Sequence, residues 1–162
     1  MLIATRILVA TDFSEAADVA WRYGRELARA LMAKLHVVHV ATDITATGVL
    51  PLTYVPAFGN AQREILETSR ARLAEVVGTD AGRESVTSEV VVSSAPALGI
   101  LDYAQTHEIN LIVVGTHGHT AMTQLLLGSV AEKIVRSAKC PVLTVRHPEK
   151  EFAIPDNLQR AS

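Results

Sequence analysis

The sequence predicts an α/β domain in which helices cover both faces of a parallel sheet. Three observations lead to this fold class. The chain has 162 residues, 49% of them hydrophobic, which suits one domain with an ordinary core. Short apolar runs of strand length recur along it. Between these runs, apolar residues recur every three or four positions, and such alternation of strands and helices favours a doubly wound parallel sheet.

The first half of the chain contains two predicted strands and two predicted helices. Residues 3–10 and 35–40 are short, β-branched runs typical of buried strands. Residues 14–32 have the helical period, with an inward face predicted at Ala16, Val19, Ala20, Tyr23, Leu27, Ala30 and Leu31. Residues 42–60 lose periodicity and are predicted to form an irregular loop. A charged helix over residues 62–77 follows, and Gly78 ends it.

The second half alternates in the same way. Strands are predicted over residues 86–93, 111–114 and 142–145, and helices over residues 96–107 and 129–138. Pro96 lies in a first helical turn, where its missing donor costs nothing. The strand over residues 111–114 is wholly apolar, as expected at the centre of a covered sheet. Residues 1–147 form the predicted domain, and residues 148–162 form a polar tail.

Composition excludes several classes of protein. Fifteen basic and 17 acidic residues give a net charge of −2, which provides no field to attract nucleic acid or an anionic membrane. No apolar run approaches the roughly 18–20 residues of a membrane span, so a cytoplasmic location is expected. Cys140 is the only cysteine, which excludes an internal disulfide. It is predicted to be a small residue at a helix-to-strand junction, with a reactive thiol as the alternative.

The predicted fold indicates where a ligand would bind. In doubly wound sheets, ligands bind beyond the carboxyl ends of the strands, where the winding direction reverses. The loops to consider are therefore residues 10–14, 40–60, 94–96 and 115–128. Residues 10–14 lack the Gly-x-Gly-x-x-Gly of a dinucleotide fold, and Gly-Lys-Ser/Thr occurs nowhere in the chain, which excludes the usual P-loop.

The loop after the fourth predicted strand is rich in glycine. It begins with Gly115, Thr116, His117 and Gly118, and it ends with Gly128 and Ser129. Ser129 and Glu132 have the spacing of a capping box, which places Ser129 at a helix N-terminus. Free amides and the positive end of the helix dipole suit a phosphate there. The alternative is that these glycines only shape turns.

The spacing Gly115-x2-Gly118-x9-Gly128-Ser129 resembles the nucleotide-binding pattern of the universal stress protein family. Residues 10–14 (Ala-Thr-Asp-Phe-Ser) and the closing stretch from Ser129 to Val145 are similar to that family as well, so the resemblance covers about residues 3–147. It implies a five-stranded sheet in the order 3-2-1-4-5 with ATP across strands 1 and 4. It also implies a homodimer formed through the last strand, residues 142–145, which would be an uncovered edge.

The resemblance implies a role for each residue that matches the family pattern. Asp12 would hold the ribose hydroxyls, and Val40 would contact the adenine. The nucleotide site as a whole would comprise Ala10, Thr11, Asp12, Val40, Gly115, Thr116, His117, Gly118, Gly128, Ser129 and Val130. Mg²⁺ or Mn²⁺ would be held through the phosphates. One departure lies at residues 93–96, where Ser-Ser-Ala-Pro lacks the glycine that often precedes this turn in the family.

Two of these interpretations have alternatives. Asp12, with Glu15 three residues later, could cap the first helix instead of binding ribose, or do both in turn. His117 and His119 form one His-x-His pair with no third ligand in view, so hydrogen bonding near phosphate or solvent exposure is favoured over zinc binding. His36 and His39 are predicted to point to opposite faces of their strand and to be structural.

Three functions follow from the sequence. The favoured one is a nucleotide-binding regulatory module of the stress response, in which ATP occupancy selects a conformation or dimer arrangement that unidentified protein partners recognise. A slow ATPase or phosphotransferase is the alternative, weakened because the glycine loop carries no lysine and only histidines as candidate bases. A scaffold without nucleotide is disfavoured because the glycine pattern is intact.

Overall fold

Five strands form one parallel sheet in the order β3-β2-β1-β4-β5. The computed structural model describes residues 4–46, 55–78, 86–116 and 127–146. The strands are β1 (Arg6–Thr11), β2 (Lys34–Thr42), β3 (Val86–Ser93), β4 (Leu111–Gly115) and β5 (Val142–Val145). The helices are α1 (Glu15–Leu31), α2 (Val55–Val77), α3 (Pro96–Thr106) and α4 (Ser129–Ser137). The predicted fold class and strand order are confirmed. None of the described helices is both long and apolar enough to cross a bilayer.

The sheet separates two hydrophobic cores because its side chains alternate between faces. Ile7 and Val9 of β1 pack with residues of α1 and α2, whereas Leu8 and Ala10 pack with residues of α3 and α4. Each face of β1 is thus covered by a different pair of helices. The three residues Ile7, Leu8 and Val9 are fully buried.

The helix after β2 begins earlier than the sequence predicted. Residues 42–60 were predicted to be an irregular loop, yet α2 begins at Val55. The prediction was wrong over residues 55–60 because Pro56 and Gly59 are both compatible with a helix at these positions. A proline is tolerated in a first helical turn, and a glycine only weakens a helix. Gly78 follows α2 with a positive φ of 61°, which confirms the predicted end of that helix.

The buried face of α1 also differs from the predicted face. Tyr23, Ala30 and Leu31 were predicted to point inward, but all three are exposed, Tyr23 to 45% and Leu31 to 43%. The buried residues of the helix are Ala16, Ala17, Val19, Ala20, Trp21, Gly24 and Ala28. Small residues dominate this face because α1 lies close to the sheet. A tyrosine or leucine at the closest point would hold the helix away from β1.

Gly24 marks the closest approach of α1 to β1. A Cβ atom placed on Gly24 would lie 2.2 Å from Cγ2 of Val9, which is fully buried. Real Cβ atoms do not approach other atoms this closely. Either the Val9 side chain must leave its rotamer or α1 must move away from the sheet.

We therefore predict that Gly24→Ala destabilises the protein by about 1–3 kcal/mol, because overpacking outweighs the gain in helix propensity. Gly59→Ala is the matched control. Gly59 is also helical, but nothing lies within 4 Å of an added Cβ atom. That variant should be stabilised by up to about 1 kcal/mol. Urea unfolding of both variants measures the difference, and equal effects would contradict the close packing of α1.

Candidate functional site

The carboxyl ends of β1 and β4 lie side by side in the middle of the sheet. Ala10 pairs with Val114, so the chain leaves β1 at Asp12 and β4 at Thr116 next to each other. After β1 the chain turns into α1 on one face, whereas after β4 it continues towards α4 on the other. This reversal of winding opens a crevice, which is where ligands bind in such folds.

The turn after β1 is held by its own polar side chains. Asp12 is exposed, and its Oδ1 accepts hydrogen bonds from the amide (3.0 Å) and hydroxyl (2.5 Å) of Ser14. Ser14 Oγ in turn accepts a hydrogen bond from the Ala17 amide and caps α1. The alternative that Asp12 itself caps α1 is therefore wrong. The cap lies two residues later because α1 begins at Glu15, and Asp12 fixes the capping serine.

The two ends of the glycine loop meet at the end of β4. The Thr116 amide donates to the Val145 carbonyl oxygen at 2.8 Å, and the Gly128 amide donates to the Thr116 carbonyl oxygen at 2.6 Å. The loop between them therefore leaves and returns at one point beside the Asp12 turn. His117, Gly118 and His119 lie outside the described residues.

Gly115 brings β4 against the first turn of α1. A Cβ atom on this residue would lie 2.8 Å from the carbonyl oxygen of Ala16. Only glycine permits this approach, since the neighbouring atom belongs to the backbone and cannot turn away. The Asp12 turn and the start of the glycine loop therefore both lie next to the first turn of α1.

Helix α4 begins differently from the prediction. Gly128, and not Ser129, is the N-cap, and its carbonyl oxygen accepts from the Glu132 amide at 2.8 Å. The predicted capping box is wrong, because Ser129 is already the first helical residue and Glu132 instead pairs with Arg136 at 3.0 Å. Gly128 has no side chain to cap the first amides. A helix that starts this way leaves donors for a ligand.

The base of the crevice on the α3 and α4 side is apolar. Val40 and Ala10 both belong to the core on that side. Gly99 of α3 lies against Val40, since an added Cβ atom would be 3.2 Å from its Cγ1. The turn before α3, which lacks the expected glycine, is closed by Ser93, whose Oγ accepts from the Ala95 amide at 3.2 Å. Gly99 and Ser93 were missed because nothing in their local sequence signals this packing.

The remaining predicted site residues differ from one another in burial and in their contacts. Thr11 is buried, and its Oγ1 accepts a hydrogen bond from the Phe13 amide at 3.0 Å, so the hydroxyl is engaged within the turn. Ser129 is exposed at the start of α4. Val130 is partly buried and packs against the core beneath α4. Thr116 is buried where the glycine loop closes.

Comparison with known proteins identifies the family of the chain. The sequence model of the universal stress protein family matches residues 4–146. This chain belongs to the universal stress protein family. A universal stress protein of Methanocaldococcus jannaschii (MJ0531) is 30% identical over 149 residues, which cover 90% of this chain and 84% of the relative. The universal stress protein YxiE of Bacillus subtilis is 30% identical over 145 residues, covering 87% and 98% respectively.

Solved structures of the family share the fold. UspA from Lactobacillus plantarum superimposes with a TM-score of 0.71 at 26% identity, covering 88% of this chain and 98% of that one. A universal stress protein in complex with cAMP has a TM-score of 0.57 at 24% identity, covering 88% and 97%. One from Archaeoglobus fulgidus in complex with dAMP has a TM-score of 0.52 at 20% identity, covering 90% of this chain and 99% of that one.

The histidines of β2 point to opposite faces of the sheet, as predicted. His36 is buried on the α3 side, where its Nδ1 lies 3.0 Å from the hydroxyl oxygen of Tyr103. The ring of Tyr103 stacks on that of His107 with centroids 3.8 Å apart. His39 faces α1 and α2, and its Nδ1 lies 2.9 Å from the carbonyl oxygen of Thr11. Among residues 4–46, 55–78, 86–116 and 127–146, no three His, Cys, Asp or Glu side chains gather as metal ligands would.

Burial shifts the pKa of several buried and half-buried groups. Burial, with smaller contributions from His107, Arg6 and Lys34, lowers the pKa of His36. Burial also lowers the pKa of His39, although the Thr11 carbonyl and Asp12 act in the opposite direction. Burial raises the pKa of Tyr103 to about 12. The pKa of the Cys140 thiol is likewise raised by burial, and the residue packs against the core at the α4-to-β5 junction.

We predict that the free energy of unfolding is nearly constant between pH 8 and pH 7 and falls as the pH drops below about 6.5. Both histidines favour the neutral form when folded, so the unfolded chain takes up protons first as the pH falls. Urea unfolding between pH 8 and pH 5 measures this, in a range that keeps most carboxylates ionised. His36→Asn should flatten the curve. An unchanged slope in that variant would show that His36 does not couple folding to protons.

Proposed function

We propose that this protein binds ATP in the crevice between β1 and β4 and acts as a regulatory nucleotide-binding module. The observation that carries the proposal is the meeting of three features at one point: the Asp12 turn, the backbone of Gly115 and the N-terminus of α4. The hydrogen bond from Gly128 to Thr116 holds the last two together. A carboxylate for ribose and helix amides for phosphate are thus presented side by side.

The proposal assigns each part of the nucleotide to a part of the crevice. Ala10 and Val40 line its apolar base and would contact the adenine. Asp12 would accept hydrogen bonds from the ribose hydroxyls. The phosphates would lie along the backbone from Gly115 and Thr116 through His117 and Gly118, and would end at Gly128, Ser129 and Val130. Mg²⁺ or Mn²⁺ would be bound chiefly by phosphate oxygens, which requires few protein ligands.

Two further observations support an adenine nucleotide. The structures of relatives in complex with cAMP and with dAMP show that proteins with this fold bind such ligands. The crevice is also built mainly from backbone and apolar groups, which suits a ligand that brings its own negative charge to helix amides. ATP occupancy would then favour one arrangement of the protein, which its partners would recognise.

The proposal predicts that Ser129→Ala weakens ATP binding by about 1–2 kcal/mol and leaves AMP binding nearly unchanged, because AMP lacks the outer phosphates. Thermal stability should change little, since Ser129 is exposed and is not the helix cap. Ser137→Ala, at the opposite end of the same helix, is the matched control. Titration calorimetry of the variants with ATP and AMP makes the comparison.

Two results would contradict the assignment of Ser129 or the ATP proposal. Equal losses for ATP and AMP would remove Ser129 from the outer phosphates. No ATP binding by the parent protein would refute the proposed function. Chromatography of nucleotide released from denatured protein adds a test of turnover: ATP supports a binding module, whereas ADP supports the alternative of a slow ATPase.

We further propose that two copies pair through β5, which lies at an edge of the sheet. The carbonyl oxygens of Pro141 and Val145 accept bonds from the β4 side. The amides of Val142 and Thr144 therefore point away from the sheet, because groups alternate along a strand. An edge of this kind can pair with its own copy across a two-fold axis.

Thr144→Pro should convert the dimer to a monomer, because it removes an outward donor without breaking the ladder to β4. Thr144→Ala keeps that donor and should remain dimeric. Light scattering at micromolar concentration gives the mass of each variant. A monomeric parent, or a dimer that survives Thr144→Pro, would count against pairing through β5.

A further inference from the structure

Phe13 has a backbone conformation that its residue type does not favour. It lies between Asp12 and Ser14 with a φ of 63°, in the left-handed region. This region is unfavourable for residues other than glycine, because Cβ approaches the neighbouring backbone. Asn or Gly would adopt it more readily. Contacts with surrounding residues must therefore hold the turn in this conformation.

The side chain of Phe13 lies between two groups from other elements, which together form the Arg72–Phe13–His39 stack. On one side, Cζ of Arg72 from α2 lies 4.3 Å from the centroid of the phenyl ring. On the other, the imidazole of His39 from β2 lies with its centroid 4.3 Å away, tilted by 33°. Both the cation–π contact and the aromatic contact stabilise the position of the ring.

The stack is tied to the backbone on both sides of Asp12. The carbonyl oxygen of Thr11 can only accept, so Nδ1 of His39 carries the hydrogen and donates to it at 2.9 Å. The hydroxyl of Thr11 accepts from the amide of Phe13 at 3.0 Å. The residue before Asp12 is thus fixed by β2, and the residue after it is fixed by β2 and α2 together.

We propose that Phe13, His39 and Arg72 are positioning residues that hold the Asp12 carboxylate where it can bind ribose. This inference rests on the proposed ATP site. The three side chains lie on the α1 and α2 side of the sheet, whereas the apolar base of the crevice belongs to the α3 and α4 side. They act on the nucleotide only through the turn. Their effect should therefore be confined to the part of the ligand that Asp12 binds.

That restriction separates positioning from general structural support. In the parent protein, ATP should bind roughly tenfold more tightly than 2′,3′-dideoxy-ATP, which lacks both hydroxyls that Asp12 would bind. In Phe13→Ala, ATP affinity should fall roughly tenfold while dideoxy-ATP affinity stays the same. The preference for the ribose hydroxyls should then disappear. In an Asp12→Asn background, Phe13→Ala should have no further effect on either nucleotide.

Tyr23→Ala is the matched control for loss of an aromatic ring. Tyr23 lies on α1 about two helical turns beyond the Asp12 turn and is partly exposed. It should keep the full preference for ATP over dideoxy-ATP. Titration calorimetry with both nucleotides measures all of these affinities.

Arg72→Gln tests the stack without depending on nucleotide or on a buried substitution. Arg72 is exposed on α2, so this variant should fold as the parent does. Loss of the guanidinium should speed hydrogen exchange at the amides of Phe13 and Ser14 about two- to fivefold, the effect expected for one cation–π contact. Amides in the centre of β1 should exchange at the parental rate. The same variant should lose about two- to fivefold in ATP affinity.

The outcomes distinguish this inference from the proposed function. No ATP binding by the parent would refute the ATP site, and hydrogen exchange would still show whether the stack holds the turn. Retained preference for ATP in Phe13→Ala would overturn the positioning role while leaving the ATP site intact. Equal losses for the two nucleotides would overturn it as well. Unchanged exchange at Phe13 and Ser14 in Arg72→Gln would refute the stack itself.

Discussion

The pairing of β1 with β2 on one side and β4 on the other is the constraint on which the rest of the structure depends. Ile7, Leu8 and Val9 have no exposed surface, so both faces of β1 must be covered. Helices α1 and α2 cover one face, and α3 and α4 cover the other. Because parallel crossovers are right-handed, covering both faces requires the winding to reverse between β1 and β4. The crevice is a consequence of burying this strand.

Close approach of backbones gives the crevice its shape. Gly24 lets α1 lie against β1, and Gly115 lets the end of β4 lie against the first turn of α1. The Asp12 turn and the glycine loop therefore become neighbours, although about 100 residues separate them in the chain. Bulk at Gly115 would push the first turn of α1 away from the end of β4. Much of the site consequently consists of main-chain groups, which sequence patterns reveal only where glycine is unavoidable.

Strand β2 places one histidine on each face of the sheet. His36 joins the cluster with Tyr103 beneath α3, whereas His39 joins Phe13 and Arg72 beneath α2. The pKa of both histidines is lowered, because burial removes water from the imidazole ring and so disfavours its charged form. Loss of water therefore acts on both rings in the same direction, and each ring also contacts a group on its own face: the Tyr103 hydroxyl for His36, and the Thr11 carbonyl oxygen for His39.

Sequence alone determined the features that arise from local pattern. Apolar runs located all five strands, and their alternation with helices gave the fold class. The end of α2 at Gly78 and the start of α3 at Pro96 followed from residues whose backbone preferences are strong. The glycine spacing identified the loop at Gly115 and Gly128 before its geometry was known.

Tertiary structure decided the features that depend on a neighbouring element. The buried face of α1 is set by its distance from β1, so Tyr23 lies outside despite fitting the helical period. The cap of α1 is Ser14, whose amide is held by Asp12, and that of α4 is Gly128, whose amide is held by the Thr116 carbonyl oxygen after β4. Phe13 is the clearest case. Its own preference opposes a positive φ, and contacts from α2 and β2, distant in sequence, add to the hydrogen bonds within the turn that hold this conformation.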